Sequence, residues 1–420
     1  MFETKSIKGK ERFLWLIAIA WSTLVAGCAV APPSVSPPTK IVKAPLSNPV
    51  TVSPYSTSPH EIRRIKKTPI PLPDNDVHAI VNDTKICQLT IDNDYLYWTR
   101  HDGNKLYRIP LQGGEKEVFA VSDYDHGQFS VTLISDRPFV RTGQWLVVVD
   151  TPTGKEAGWT WKVRAFNLET HSEHVLLRAE RDTESWPGPE IQGDENGRIV
   201  VTYNHSSEQE NCAENVLAVI DLDTEDISIL DKGCTEGRYR WVFAGISGPY
   251  VVADRYLPEE DGKTYKGATS DIFLFNLNTR EVTQLTHNSR SSMPDISGHW
   301  VAWKSSPRFT FGETIIYNID TDNRYLVDIP DIPGIHGYRA PRLSSEQWLY
   351  WRGTKSGEPV FVFDLENQLL LEVVPASDTQ DIRNRVIFED IMAWERMPLH
   401  IISESVIEWR ELPSLPKGLR

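Results

Sequence analysis

Asp271–Ser305, DIFLFNLNTREVTQLTHNSRSSMPDISGHWVAWKS, reads as two strands, a polar loop and two more strands. Ile272, Leu274, Phe275 and Leu277 mark the first strand, and Val282 and Leu285 the second. Asn278-Thr279-Arg280 turns the chain between them. Asp, Asn and Thr cap their own backbone in tight turns, which is why such clusters end strands. Ile296 and Val301-Ala302-Trp303 begin the next pair after His287–Ser292.

The same unit recurs along the chain. Its turn returns as Phe166-Asn167-Leu168-Glu169-Thr170, Ile220-Asp221-Leu222-Asp223-Thr224, Asn318-Ile319-Asp320-Thr321 and Phe363-Asp364-Leu365-Glu366-Asn367, with Pro110-Leu111-Gln112-Gly113-Gly114 as a looser copy. Between the turns stands an apolar run: Leu96-Tyr97-Trp98, Leu146-Val147-Val148-Val149, Ile199-Val200-Val201, Val251-Val252-Ala253, Val301-Ala302-Trp303, Leu349-Tyr350-Trp351 and Met392-Ala393-Trp394. These runs lie about 45–55 residues apart, the period of four-stranded propeller blades. The expected fold is therefore all-β: a single seven-bladed β-propeller with four-stranded antiparallel blades. The seventh copy ends at Ser405–Trp409 without an outer strand. Thr84–Thr90, TKICQLT, resembles Arg280–Thr286, REVTQLT, and is expected to complete that blade. Closing the ring with this N-terminal strand removes the open edge that would recruit other chains. The Trp residues at 98, 303, 351 and 394 read as blade packing.

Ahead of the repeats the composition changes. Lys5, Lys8, Lys10 and Arg12 precede a 14-residue apolar run, Phe13–Ala26. A spanning helix needs about 20 residues, so this run reads as a signal-peptide core. Leu24-Val25-Ala26-Gly27-Cys28 closes it and resembles the bacterial lipoprotein signal. That resemblance implies lipidation at Cys28, and Ala29 after it implies an outer-membrane destination. Residues 29–73 hold 11 Pro, a composition that favours extended chain and builds no core. The expected division is 1–27 signal peptide, 28–76 Pro-rich tether, 77–413 propeller and 414–420 tail. Arg63-Arg64-Ile65-Lys66-Lys67 reads as a solvated charge run in that tether, with contact to anionic headgroups as the alternative.

Residues 1–67 carry 10 Lys/Arg against 3 Asp/Glu, whereas the rest carries 34 against 55. So acidic a body disfavours nucleic acid, whose phosphates need Lys and Arg. The repeats, with DIFLFNLNTREVTQLT and ISGHWVAW, resemble the TolB-like family of bacterial β-propellers over about residues 77–413. That resemblance implies a role at the cell envelope. The α/β domain of the family's namesake is replaced here by the Pro-rich tether, and the lipidation signal is a second departure.

Cys212 and Cys234 flank the third copy's hairpin, whose turn is centred on Asp223, and are expected to face each other as a disulfide in an oxidising compartment. Cys87 has no evident partner. The loops between blades should line the mouth of the central channel. They carry Arg238, Arg240, Arg290, Arg339, Arg383 and Arg385, with Trp186, Tyr239 and Tyr338. Guanidinium groups suit carboxylates, and aromatics suit sugar faces. Arg240, Arg290, Arg339, Arg383, Trp186 and Tyr338 are thus the candidate ligand-binding residues. The bland alternative is that each Arg pins its loop through a local acid. Long loops at Pro152–Trp161 and Leu257–Ser270 could carry recognition or be tolerated insertions.

His126, His205, His287 and His336 lie in loops, without the spacing of a metal motif, so neither metal nor cofactor is expected. No GxSxG elbow or P-loop is present, and no catalytic residue is nominated. The expected role is a membrane-tethered, periplasm-facing lipoprotein, a non-catalytic module for an envelope protein or anionic glycan. The alternative is a carbohydrate-active lyase on anionic glycans, working at the channel mouth. A third reading is the propeller accompanying prolyl oligopeptidase-type hydrolases, disfavoured because no hydrolase domain follows Arg420.

Overall fold

The computed structural model describes residues 62–73, 76–84, 86–100, 104–124, 127–129, 139–152, 160–179, 188–207, 212–234, 240–257, 269–305, 313–328, 340–352, 359–398 and 405–413. Within them every sheet is part of a seven-bladed ring. Blade 1 runs from its inner strand Ile86–Ile91 through Tyr95–Arg100 and Lys105–Pro110 to the outer strand Glu117–Val121. Blades 2 to 6 begin at Phe139–Thr142, Glu190–Gly193, Arg240–Ser247, Ser291–Ser297 and Ala340–Ser344, and each follows the same order outward. In blade 2, Gly127–Phe129 also pairs with the far end of the second strand. The opening stretch straddles two blades. Thr269–Asn276 and Val282–Gln284 are the outer hairpin of blade 4, and Ser291–Ser297 and Trp300–Ser305 are the inner strands of blade 5.

The repeated turn folds as its chemistry requires. Asn276 Oδ1 accepts the backbone N–H groups of Asn278 and Thr279. Asn167 and Asp221 do the same in blades 2 and 3. The residue after each such turn takes a left-handed φ: His171, Glu225, Arg280, Asp322 and Gln368 lie between 51° and 61°. The side-chain cap offsets the strain of that conformation in non-Gly residues.

The apolar runs form the second strand of every blade and pack between blades. Trp98, Trp303, Trp351 and Trp394 are all buried. Their indole nitrogens find partners there: Asp83 for Trp98 at 2.7 Å, Thr314 for Trp351 at 2.8 Å and Glu408 for Trp394 at 2.8 Å.

Ring closure differs from expectation by one strand. Ile86–Ile91 is the inner strand of blade 1, with Ile86, Leu89 and Ile91 buried. The strand that completes blade 7 is His78–Asp83, antiparallel to Ser405–Glu411. Only Asp83 of its residues is buried, so it lacks the apolar signature that drew the sequence reading to the next strand. At its end sits Asp83, 6% exposed. It accepts from Trp98, Arg100 and the Thr84 N–H, and Lys116 approaches to 3.5 Å. The closing strand is thereby latched to blade 1 as well as paired to blade 7.

Residues 62–71, read from sequence as part of the spacer, lie on the rim. Ile62–Lys66 adds a parallel fifth strand to blade 5, and Ile70–Pro71 does so on blade 6. Within the basic run, Ile65 is buried and Arg64 pairs with Asp328 at 3.3 Å and Glu313 at 3.6 Å. The sequence reading missed these strands because Pro suppresses strand propensity, and an edge strand tolerates it.

In blade 3 the register places Cys234 opposite Glu214, with a bulge between Leu217 and Ala218. Cys212 is two residues from that pairing, so the two backbones do not face each other directly as expected. The turn already shifts the pairing by one residue, with Ile220 opposite Ile227, and the bulge adds one more that equal spacing about a turn does not foresee. The side chains of Cys87, Cys212 and Cys234 lie outside the described residues, as does Cys28.

Candidate functional site at the channel mouth

Inner strands begin at one end of the channel, and three of them begin alike. Blades 4, 5 and 7 each bulge near the start of the inner strand, between Trp241 and Ala244, Ser292 and Asp295, and Arg383 and Val386. An Arg stands at or just before each bulge: Arg240, Arg290 and Arg383. Bulges break pairing and re-aim side chains, and they concentrate beside functional sites. Met293 and Asn384 inside two of these bulges take left-handed φ values of 56° and 47°.

One strand outward lies a series that sequence reading missed. Each apolar run is followed by one further residue: Asp254, Lys304 and Glu395 in blades 4, 5 and 7, and Thr99 and Thr202 in blades 1 and 3. All five are buried. The visible signal was a polar residue directly after all seven apolar runs, a pattern that also suits a strand end. Instead the strands continue, and in blades 4, 5 and 7 these groups lie behind the bulges. Lys304 is opposite Ser292 in register, and Glu395 opposite Arg383.

Asp254 shows what they do. One oxygen accepts Phe243 N–H at 2.7 Å and the other Met293 N–H at 3.0 Å. A single carboxylate therefore holds the bulges of two adjacent blades. Complete burial pushes its pKa up to about 7, against the opposing effect of those backbone N–H groups. Burial likewise raises the pKa of Glu395, opposed by hydrogen bonds from Ser405 and Asn384. Burial lowers that of Lys304 to about 8. Phe243, Met293 and Ala340 form an apolar collar across blades 4 to 6 beside these groups.

The candidate residues separate as follows. Arg290 is exposed, and its side chain makes no hydrogen bond or ion pair among the described residues. Its backbone N–H donates to Asn288 Oδ1. Arg240 is half-buried at the first position of its strand. Arg383 is exposed but pairs with Asp381 at 2.5 Å, as the pinning alternative foresaw. Arg385 belongs to the core of the ring, donating to the carbonyls of Trp351 at 3.2 Å and Ile382 at 3.1 Å. Trp186, Arg238, Tyr239, Tyr338 and Arg339 lie outside the described residues, as do His126, His336 and the side chain of His205. His287 is exposed. Among the described residues no three His, Cys, Asp or Glu side chains are grouped to hold a metal.

Given this geometry, comparison with known proteins bears on the fold. No protein-family model matches the sequence, and no curated protein matches it. Among solved structures, the β-propeller domain of the Trilobed protease from Pyrococcus furiosus superposes with a TM-score of 0.51 at 11% identity, covering 80% of this chain and 98% of that one. The chain is a seven-bladed propeller related in fold to peptidase propellers. That domain is described as having an open velcro topology, whereas here His78–Asp83 pairs with the last strand. The Pyrococcus horikoshii acylaminoacyl peptidase superposes with a TM-score of 0.51 at 12% identity over 79% of this chain. This chain spans about half of that peptidase's length, 53%. An oligogalacturonate lyase from Vibrio parahaemolyticus superposes with a TM-score of 0.48 at 11% identity, over 81% of this chain and 92% of its own. That superposition is too loose to bear on activity.

Proposed function

We propose that the chain is a lipoprotein propeller tethered through Cys28 and facing the periplasm, a non-catalytic module that binds an acidic envelope partner at its channel mouth. The observation that carries this reading is the repetition on blades 4, 5 and 7: a bulged inner strand, an Arg at or just before the bulge and a buried ionisable group behind it. Three independent copies of one device, facing one opening, suit a ligand that spans several blades. Arg290 and Arg240 supply the cationic contacts, and Phe243 and Met293 an apolar floor. Guanidinium groups bind carboxylates bidentately, so the partner is an acidic protein segment or an anionic polymer. Arg383 is already paired with Asp381 and contributes orientation rather than free charge.

The test is a crosslinking capture of the full-length lipidated protein from its own envelope, alongside an Arg240→Ala/Arg290→Ala variant. Loss of the captured partner in the variant, with folding intact, supports the reading. An unchanged partner set sinks it. Formation of unsaturated uronates from anionic glycans by the purified protein would instead establish the lyase alternative.

A further inference from the structure

Between the inner strands of blades 6, 7, 1, 2 and 3 lies a cavity of about 130 Å³. It borders the bulged strand of blade 7 through Arg385 and Val386 and takes no lining residue from blades 4 and 5. Its polar lining comes from five blades: Gln88 and Thr90, Arg141, Gln192, Tyr350 and Arg385. Leu89, Ile91, Phe139, Val140, Leu343 and Ile387 supply apolar wall. No Asp or Glu lines it, although the body of the chain is strongly acidic.

Two groups of the lining lack hydrogen-bond partners among the described residues. Gln88 is 7% exposed, and its Oε1 has no donor. Arg141 has a buried Nε with no acceptor, and its guanidinium rests on the Phe388 ring, 4.8 Å from the centroid. The other polar groups are largely engaged. Gln192 donates to Asp295, which also accepts Leu343 N–H at 2.9 Å. That bond crosses the inner strand of blade 4 at Gly245, where a Cβ would stand 3.1 Å from Gln192 Oε1. Arg385 donates to two carbonyls. A buried acceptor without a donor and a buried guanidinium N–H without an acceptor are each costly unless something fills the space between them.

We infer that this cavity binds a small organic carboxylate carrying a hydroxyl or amino group. The carboxylate meets Arg141, the hydroxyl or amine donates to Gln88 Oε1, and the short carbon chain lies on Leu89, Phe139 and Ile387. The volume admits about six to eight non-hydrogen atoms, the size class of benzene, which fills an engineered cavity of about 150 Å³.

Lactate, acetate and lactamide are the probes, titrated into the purified full-length chain by calorimetry. Lactate should bind saturably. Acetate, which lacks the donor, and lactamide, which lacks the charge, should each bind about tenfold or more weakly, since a hydrogen bond involving a charged group contributes roughly that factor or more. Arg141→Met keeps a stem over Phe388 and should abolish lactate binding. Gln88→Met should leave acetate binding unchanged and erase the preference for lactate. Circular dichroism and the unfolding midpoint confirm that each variant is folded. If Arg141→Met does not fold, the Gln88→Met comparison and the three-probe series still decide. The inference is overturned if no probe binds saturably at about millimolar concentration, the cavity then holding only water. It is also overturned if acetate or lactamide matches lactate, or if folded Arg141→Met binds lactate as well as the parent.

Discussion

Asp83 at the ring closure and Asp254 at the channel mouth are both buried aspartates, and their protonation is pushed in opposite directions. At Asp83, burial favours the neutral acid, but the Thr84 N–H, Trp98 and Arg100 outweigh it and lower the pKa below the ordinary carboxylate value. Asp254 faces backbone N–H groups alone, burial wins, and its pKa rises to about 7. The closure is thus a charge-paired latch and the mouth a strained, weakly compensated frame. The seam holds a carboxylate whose charge its partners favour, and the mouth keeps groups whose protonation can change near neutrality. Evolved binding sites commonly hold such local cost within a stable scaffold.

The contrast breaks most sharply at Asp83. Asp83→Ala removes a shared partner of Trp98, Arg100 and Lys116 and should destabilise the fold by about 2–4 kcal/mol in urea unfolding, below the upper range for fully buried pairs because Arg100 and Lys116 reach solvent. A loss below about 0.5 kcal/mol, the size of a surface effect, would show that strand pairing alone closes the ring.

Trp98→Phe tests the same seam with a smaller change. It keeps most of the ring area but loses the indole bond to Asp83, and should cost about 1–2 kcal/mol by thermal or chemical unfolding.

The mouth is sharpened by pH. Asp254 binds its proton more tightly when folded, so both states are protonated well below pH 4. As pH rises from the unfolded pKa toward about 7, the folded state is progressively penalised. Asp83 has the opposite sign: its stabilisation is present above the unfolded pKa and is lost as pH falls through its lowered folded value. Unfolding free energies measured across pH 4–8 should fall more steeply in the parent than in Asp254→Asn. Identical slopes would mean that Asp254 ionises freely in the folded chain.

The smallest expected effect is at Arg290. Its exposed side chain makes no described contact, so Arg290→Ala should change stability by less than about 0.5 kcal/mol while weakening partner capture. A larger stability loss would reassign Arg290 from recognition to loop anchoring.

Much of this was legible in the chain. The turn at Asn276–Arg280 and its copies act through local side-chain caps, and the runs ending at Trp98, Trp303 and Trp394 act through burial, so both leave marks in sequence. The closing strand was misplaced because His78–Asp83 is an outer strand with little burial, while Ile86–Ile91 carries the stronger apolar pattern. The mouth was half legible. Arg240, Arg290 and Arg383 could be placed in loops between blades, but their bulges depend on pairing register. Asp254, Lys304 and Glu395 looked like polar strand ends because nothing local reveals that the strand continues into the ring.

The sequence by itself determined the blade count, the turn chemistry and the apolar strands, since repetition and burial are written residue by residue. Only the tertiary structure decided which N-terminal strand closes the ring, which arginines face solvent, and that Gln88 and Arg141 share one cavity. Those facts join residues from separate blades, and their distances follow from closure of the ring rather than from spacing along the chain.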